Sequence, residues 1–299
     1  MTTDTTQHIA HSAFLVHKLK SYYELLKFRL SFLVAFSSGF GYILGSQGNI
    51  NWATFTAFCL GGLLVSGGSI TINQIIEKDY DKVMKRTMNR PLPTQRVSRS
   101  EAAVYAAVLL LIGFSLILIY ANLLTLLISI VSMLLYCFVY TPLKRVGPIA
   151  VFVGAIPGAL PPFLGWVAAT GHITYEAWII FGIQFIWQFP HFWAIAWLAD
   201  EDYKKAGFKL LPANGTKDMK TAINIMIYTL FLLPLGLLPA KFGVAGINSA
   251  IIATICGVLF LAQTFSLMRD NSRKSALKIM YGSFLYLPIV QIAYLVDKI

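Results

Sequence analysis

The sequence predicts an all-α, polytopic membrane helix bundle, on three observations. Hydrophobic residues fill 57% of the 299 positions and charged residues only 12%, a balance soluble domains do not show. Nine segments approach the roughly 20 apolar residues that a helix needs to cross a bilayer. Their apolar residues run continuously rather than alternating, which argues against a membrane barrel and leaves helices.

The elements follow in chain order. Residues 1–21 read as a cytoplasmic tail; they lack the apolar stretch of a signal peptide and the Arg-rich pattern of a transit peptide, so a bacterial plasma membrane is expected. Residues 22–299 read as one intramembrane domain. Its spans are 30–44, which needs a few flanking residues to cross, then 52–76, 102–120, 123–139, 149–168, 175–199, 221–238, 249–268 and 276–296. Cys59, Cys137 and Cys256 all fall inside apolar runs, as small buried hydrophobes do.

The net charge is +11, and its distribution gives the orientation. With the N-terminus in the cytoplasm, 22 of the 24 Lys and Arg lie on the cytoplasmic side, leaving only Lys241 and Lys298 outside. The basic excess is therefore a topology signal combined with handling of something acidic at the inner face, and nucleic acid is excluded as the partner.

Chemistry concentrates at the inner ends of two helices. Asn73, Glu77 and Asp81 are spaced four apart, which puts three oxygen-bearing side chains on one helical stripe. Such a stripe suits Mg²⁺, which takes one or two carboxylates plus phosphate oxygens of a substrate. Arg86 and Arg90, again four apart, supply planar forks matched to phosphate, and Pro91 stops the element. Solvated ion pairs at an interfacial helix end are the competing reading. The second acidic cluster, "DEDYKKAG", favours the first: Asp202 with Tyr203 follows the sixth span on the same side, where two metal ions can share one diphosphate. Asp200 and Glu201 are equally consistent with solvated charges.

Three further features point to the same end. Tyr140 and Lys144 are four apart, Arg145 adds a cation, and Lys27 precedes the first span. Gly154, Pro157, Gly158, Pro161 and Pro162 predict a broken helix forming a curved cavity wall, against tight packing through small residues. His191, in "QFPHFWAIAW", is an ionisable group inside an apolar span: an iron ligand, a proton acceptor, or a histidine bonded to a neighbouring helix.

In this order and at these separations, "NQIIEKDYDKVMKRTMNRP", "YTPLKR", "GAIPGALPPFLGW" and "PHFWAIAWLADEDYKKAG" resemble the haem o synthases (protohaem IX farnesyltransferases), a family of UbiA-type intramembrane prenyltransferases. The likeness spans residues 22–297. It implies nine helices around a central cavity and transfer of a farnesyl group from farnesyl diphosphate to the 2-vinyl group of haem B, with water added, giving haem O. By position, Asn73, Glu77 and Asp81 match the first Asp-rich motif, Arg86 and Arg90 its arginine pair, and His191 a histidine typical of the haem branch. Glu77 stands where Asp is frequent, and Asp202 with Tyr203 stands where the superfamily has two spaced aspartates. The resemblance implies Mg²⁺ as cofactor, and a haem A synthase or terminal oxidase as recipient of the product. The alternatives are prenylation of an aromatic quinone precursor, and transport of haem or an isoprenoid. Acids at two helix ends on one face only argue against the transporter.

Overall fold

The structure, a computed structural model, describes residues 16–212 and 215–299; residues 1–15 of the expected tail lie outside them. Residues 16–26 form helix α1. The elements that follow are α2 (Phe28–Gly45), α3 (Trp52–Asp81), α4 (Arg99–Tyr120), α5 (Leu123–Leu134), a π-helical segment (Leu135–Tyr140), α6 (Thr141–Leu143), α7 (Ile149–Thr170), α8 (Tyr175–Leu198), α9 (Asp200–Lys205), α10 (Met219–Lys241), α11 (Ile247–Asp270) and α12 (Arg273–Val296). Among the described residues nine helices are long and apolar enough to cross a membrane, with α5 to α6 counted as one span, Leu123–Leu143.

Polar side chains start many of these helices. Asn51, Asn122, Asp218 and Ser272 each accept the backbone N–H three residues on, and Ser98 with Glu101 closes a capping box. Depth in the bundle then follows burial. The apolar stretch of α7 is 72% buried and those of α2 and α8 56%, against 22% for the span begun by α5, so α2, α7 and α8 form the interior and α4, α5 and α11 the flank.

At two points of the α2–α7 seam no side chain stands between the helices. A Cβ on Gly41 would lie 1.9 Å from the Pro162 carbonyl oxygen, and one on Gly165 would lie 1.9 Å from that of Ser38. These main chains touch, as small residues in membrane helices allow.

The fifth span is not broken, contrary to what its glycines and prolines predict. α7 is one continuous helix through Pro157, Pro161 and Pro162. Pro162 has no N–H to give the Gly158 carbonyl four residues earlier, and the amides of Gln184 and Gln188 on α8 donate to that oxygen instead, at 3.0 and 2.9 Å. Gln184 also accepts from Ser37 of α2 and from Gln291 of α12, each at 3.0 Å, which ties four helices together at one polar point.

Candidate active site

α3 extends five residues beyond the predicted span, to Asp81, and carries its acids inside the protein. Asn73, Glu77 and Asp81 are 4%, 5% and 0% exposed. Each is partnered. Asn73 Nδ2 donates to Thr141 Oγ1 at 2.9 Å, Lys144 Nζ donates to Glu77 Oε1 at 2.7 Å, and Arg90 Nη1 donates to both Asp81 oxygens at 2.8 and 2.7 Å. Thr141 and Lys144 are three apart beyond the π-helical segment, so the two helix ends pair turn by turn.

Asp202, on α9, accepts the backbone N–H groups of Lys85 and Arg86 at 3.3 and 3.2 Å. The neighbouring Tyr203 hydroxyl accepts from Arg86 Nη2 at 3.1 Å, with the guanidinium carbon 5.3 Å from the ring centre. The second acidic motif thus grips the loop that follows the first. Other cations lie on aromatic faces too: Lys144 is 4.7 Å from the Tyr140 centroid, and Arg145 is 5.1 Å from that of Tyr80, whose hydroxyl it also bonds.

Lys27 joins this group. It occupies the break between α1 and α2 with φ 45°, a left-handed conformation unusual for a side chain of its size. Its ammonium is pushed down to about 7, first by desolvation and then by the nearby charges of Arg90, Lys144 and Arg86, against the opposing pull of Asp81.

The other expected residues lie elsewhere. Asp200 is buried, not solvated; its carboxylate takes Lys204 at 2.9 Å and Lys217 at 3.5 Å. Glu201 is exposed. His191 is 9% exposed and bonded to Ser283 of α12, with Nδ1 2.8 Å from the hydroxyl oxygen. It sits seven residues inside the end of α8, about 10 Å at the usual helical rise. No spacing in the sequence marks Thr141, Gln184, Gln188, Ser283 or Gln291, and their contacts show only in the fold. For the glutamines the available signal was an amide inside an apolar span.

Among the described residues no three His, Cys, Asp or Glu side chains cluster closely enough to hold a metal ion alone. That still fits Mg²⁺, whose protein ligands are commonly one or two carboxylates completed by substrate phosphates and water. The donors here are all hard oxygens, and five basic residues, Lys27, Arg86, Arg90, Lys144 and Arg145, stand with them.

The comparisons with known proteins agree on the family. The model of the UbiA prenyltransferase family matches residues 33–287. The chain is 52% identical over 282 residues to a protoheme IX farnesyltransferase of Cytophaga hutchinsonii, covering 94% of this chain and 99% of the relative. It is 42% identical to that of Christiangramia forsetii, covering 94% of each, and 35% identical to the mitochondrial one of Arabidopsis thaliana, covering 95% of this chain and 66% of the relative. In fold it is similar to a digeranylgeranylglyceryl phosphate synthase, with TM-score 0.77, 22% identity and 94% and 98% of the two chains covered. It is also similar to a UbiA homolog from Archaeoglobus fulgidus bound to GPP and Mg²⁺, with TM-score 0.63, 18% identity and 92% and 99% covered.

Proposed function

The chain belongs to the UbiA prenyltransferase family, and we infer that it transfers the farnesyl group of farnesyl diphosphate to the 2-vinyl group of haem B, with addition of water, to make haem O and diphosphate. The observation that carries the site assignment is the convergence of the α3 stripe and Asp202 on one short loop, through Arg90 and Arg86. The Archaeoglobus fulgidus homolog bound to GPP and Mg²⁺ supports a divalent ion in this role.

Asn73, Glu77, Asp81 and Asp202 would hold Mg²⁺. When bound, the ion supplies positive charge to the diphosphate oxygens. Arg86, Arg90, Lys144, Arg145 and Lys27 bind the remaining anionic oxygens, with Tyr140 and Tyr203 as aromatic rests for two of these cations. Glu77 and Asp81 keep Lys144 and Arg90 in place before the diphosphate arrives, so little reorganisation is needed at the moment of reaction.

The bond from the farnesyl carbon to the diphosphate oxygen breaks, and the terminal vinyl carbon of haem bonds to that farnesyl carbon. The cation left beside the porphyrin is captured by water, which gives up a proton. The apolar interior keeps other water from the farnesyl cation first.

The excess of Lys and Arg at this end supports placing the site on the cytoplasmic side of a bacterial inner membrane. Residues 22–299 act as one domain in this reading. Haem O stays in the bilayer and passes to a haem A synthase or a terminal oxidase.

The test is incubation of the purified protein with haem B, farnesyl diphosphate and Mg²⁺, followed by mass analysis of the porphyrin. Farnesylated, hydrated haem is expected. Prenylation of 4-hydroxybenzoate with unchanged haem would overturn the acceptor.

A further inference from the structure

Two residues one turn apart on α8 meet a single residue of α12. Trp187 Nε1 donates to the Ser283 backbone oxygen at 3.0 Å, and His191 Nδ1 lies 2.8 Å from Ser283 Oγ. The indole and imidazole stack at 4.5 Å with their planes 15° apart, and Phe284 meets the imidazole edge-on at 5.0 Å. The imidazole is therefore fixed in both position and tilt.

Its tautomer is fixed as well. A serine hydroxyl has one proton, and that of Ser283 goes to the Met280 carbonyl oxygen at 2.6 Å. Only a lone pair of Ser283 Oγ is left facing His191, so Nδ1 of the neutral ring carries the imidazole proton. Nε2 holds the free electron pair and has no hydrogen-bond partner among the described residues. A histidine that binds a metal characteristically donates its other ring N–H to an oxygen that sets its orientation.

We propose, on the reading that haem B is the acceptor, that Ser283 is a positioning residue: it holds His191 as the Nδ1–H tautomer so that Nε2 ligates the iron of the incoming haem. Placement favours this over a role as base for the added water. That base must reach the vinyl carbon beside the diphosphate, whereas His191 is about 10 Å inside the end of α8. The vinyl groups lie at the porphyrin rim, so iron held at His191 leaves an edge free to extend toward the charged end.

The test is optical titration of the purified protein with haem B, without farnesyl diphosphate, on wild type, His191→Gly, Ser283→Ala and Ser283→Thr. Wild type should show a histidine-ligated spectrum. His191→Gly should lose it and regain it with added imidazole. Ser283→Ala should bind haem through histidine about 10–100-fold more weakly, with affinity restored by Ser283→Thr, which keeps the hydroxyl. A Ser283→Ala titration identical to wild type, or an unchanged spectrum in His191→Gly, overturns the inference. If wild type makes haem O while either result holds, only the ligand assignment has failed; if it neither binds haem nor makes haem O, the acceptor reading has failed with it.

Discussion

Asp202 accepts the backbone N–H of Arg86 at 3.2 Å across 116 residues of chain. This bond turns two separate acidic motifs into one site, because Arg86 lies in the loop leaving the helix that carries Asn73, Glu77 and Asp81. Its loss should loosen the loop rather than the bundle. Asp202→Ala should raise KM for farnesyl diphosphate about tenfold, the order of one charge-assisted hydrogen bond at a partly exposed place. Initial rates over a range of donor concentrations measure it, and an unchanged KM with unchanged kcat would remove Asp202 from the site.

Asp81 is fully buried against Arg90, and in our reading it also holds the metal. Asp81→Ala should lower haem O formation about 100-fold or more, the order seen when one electrostatic contact to developing charge is deleted. The protein should still insert, since the nine spans do not depend on this side chain. Chromatographic profile and turnover of the purified variant separate the two effects; near-normal turnover contradicts the assignment.

Lys27 gives a pH signature. Its folded pKa of about 7 lies below its ordinary 10.5, so the charged form is disfavoured in the folded protein. Below pH 7 both states carry the proton and the full penalty applies; between about 7 and 10.5 the folded state sheds it and stability rises with pH. Diphosphate draws the proton back, so KM for farnesyl diphosphate should climb as pH rises above 7. Lys27→Met should flatten that limb in a KM-against-pH series, with its KM already high at pH 6.

The Gly158 carbonyl predicts non-additivity. Gln184 and Gln188 both donate to it, so Gln188→Leu alone should cost little, on the order of 0.5 kcal/mol. Removing both should cost about 1–3 kcal/mol more than the sum of the single changes, the desolvation penalty of a buried acceptor left unpaired. Thermal unfolding in detergent of the four members of this cycle measures the coupling, and strict additivity would mean the carbonyl finds another partner.

The spans were legible in the sequence because each is a continuous apolar run, with charges collected at one end. The Asn73, Glu77 and Asp81 stripe was legible too, since four-residue spacing is local geometry. What brings these residues their partners was not. Lys144 meets Glu77 from 67 residues away and His191 meets Ser283 from 92, and no local pattern announces pairs that distant. α7 shows the other failure: prolines that read locally as a break are carried by amides on the next helix. The π-helical turn at Leu135–Tyr140 left no signal either, yet it stands directly before Thr141 and Lys144.

The bare contact between Gly41 and Pro162, and between Gly165 and Ser38, has a consequence for traffic. Where the main chains of α2 and α7 already touch there are no rotamers to swing aside, so that seam is a rigid plate. A greasy fifteen-carbon chain or a porphyrin disc entering sideways from the lipid must pass where side chains alone close the wall and can be parted.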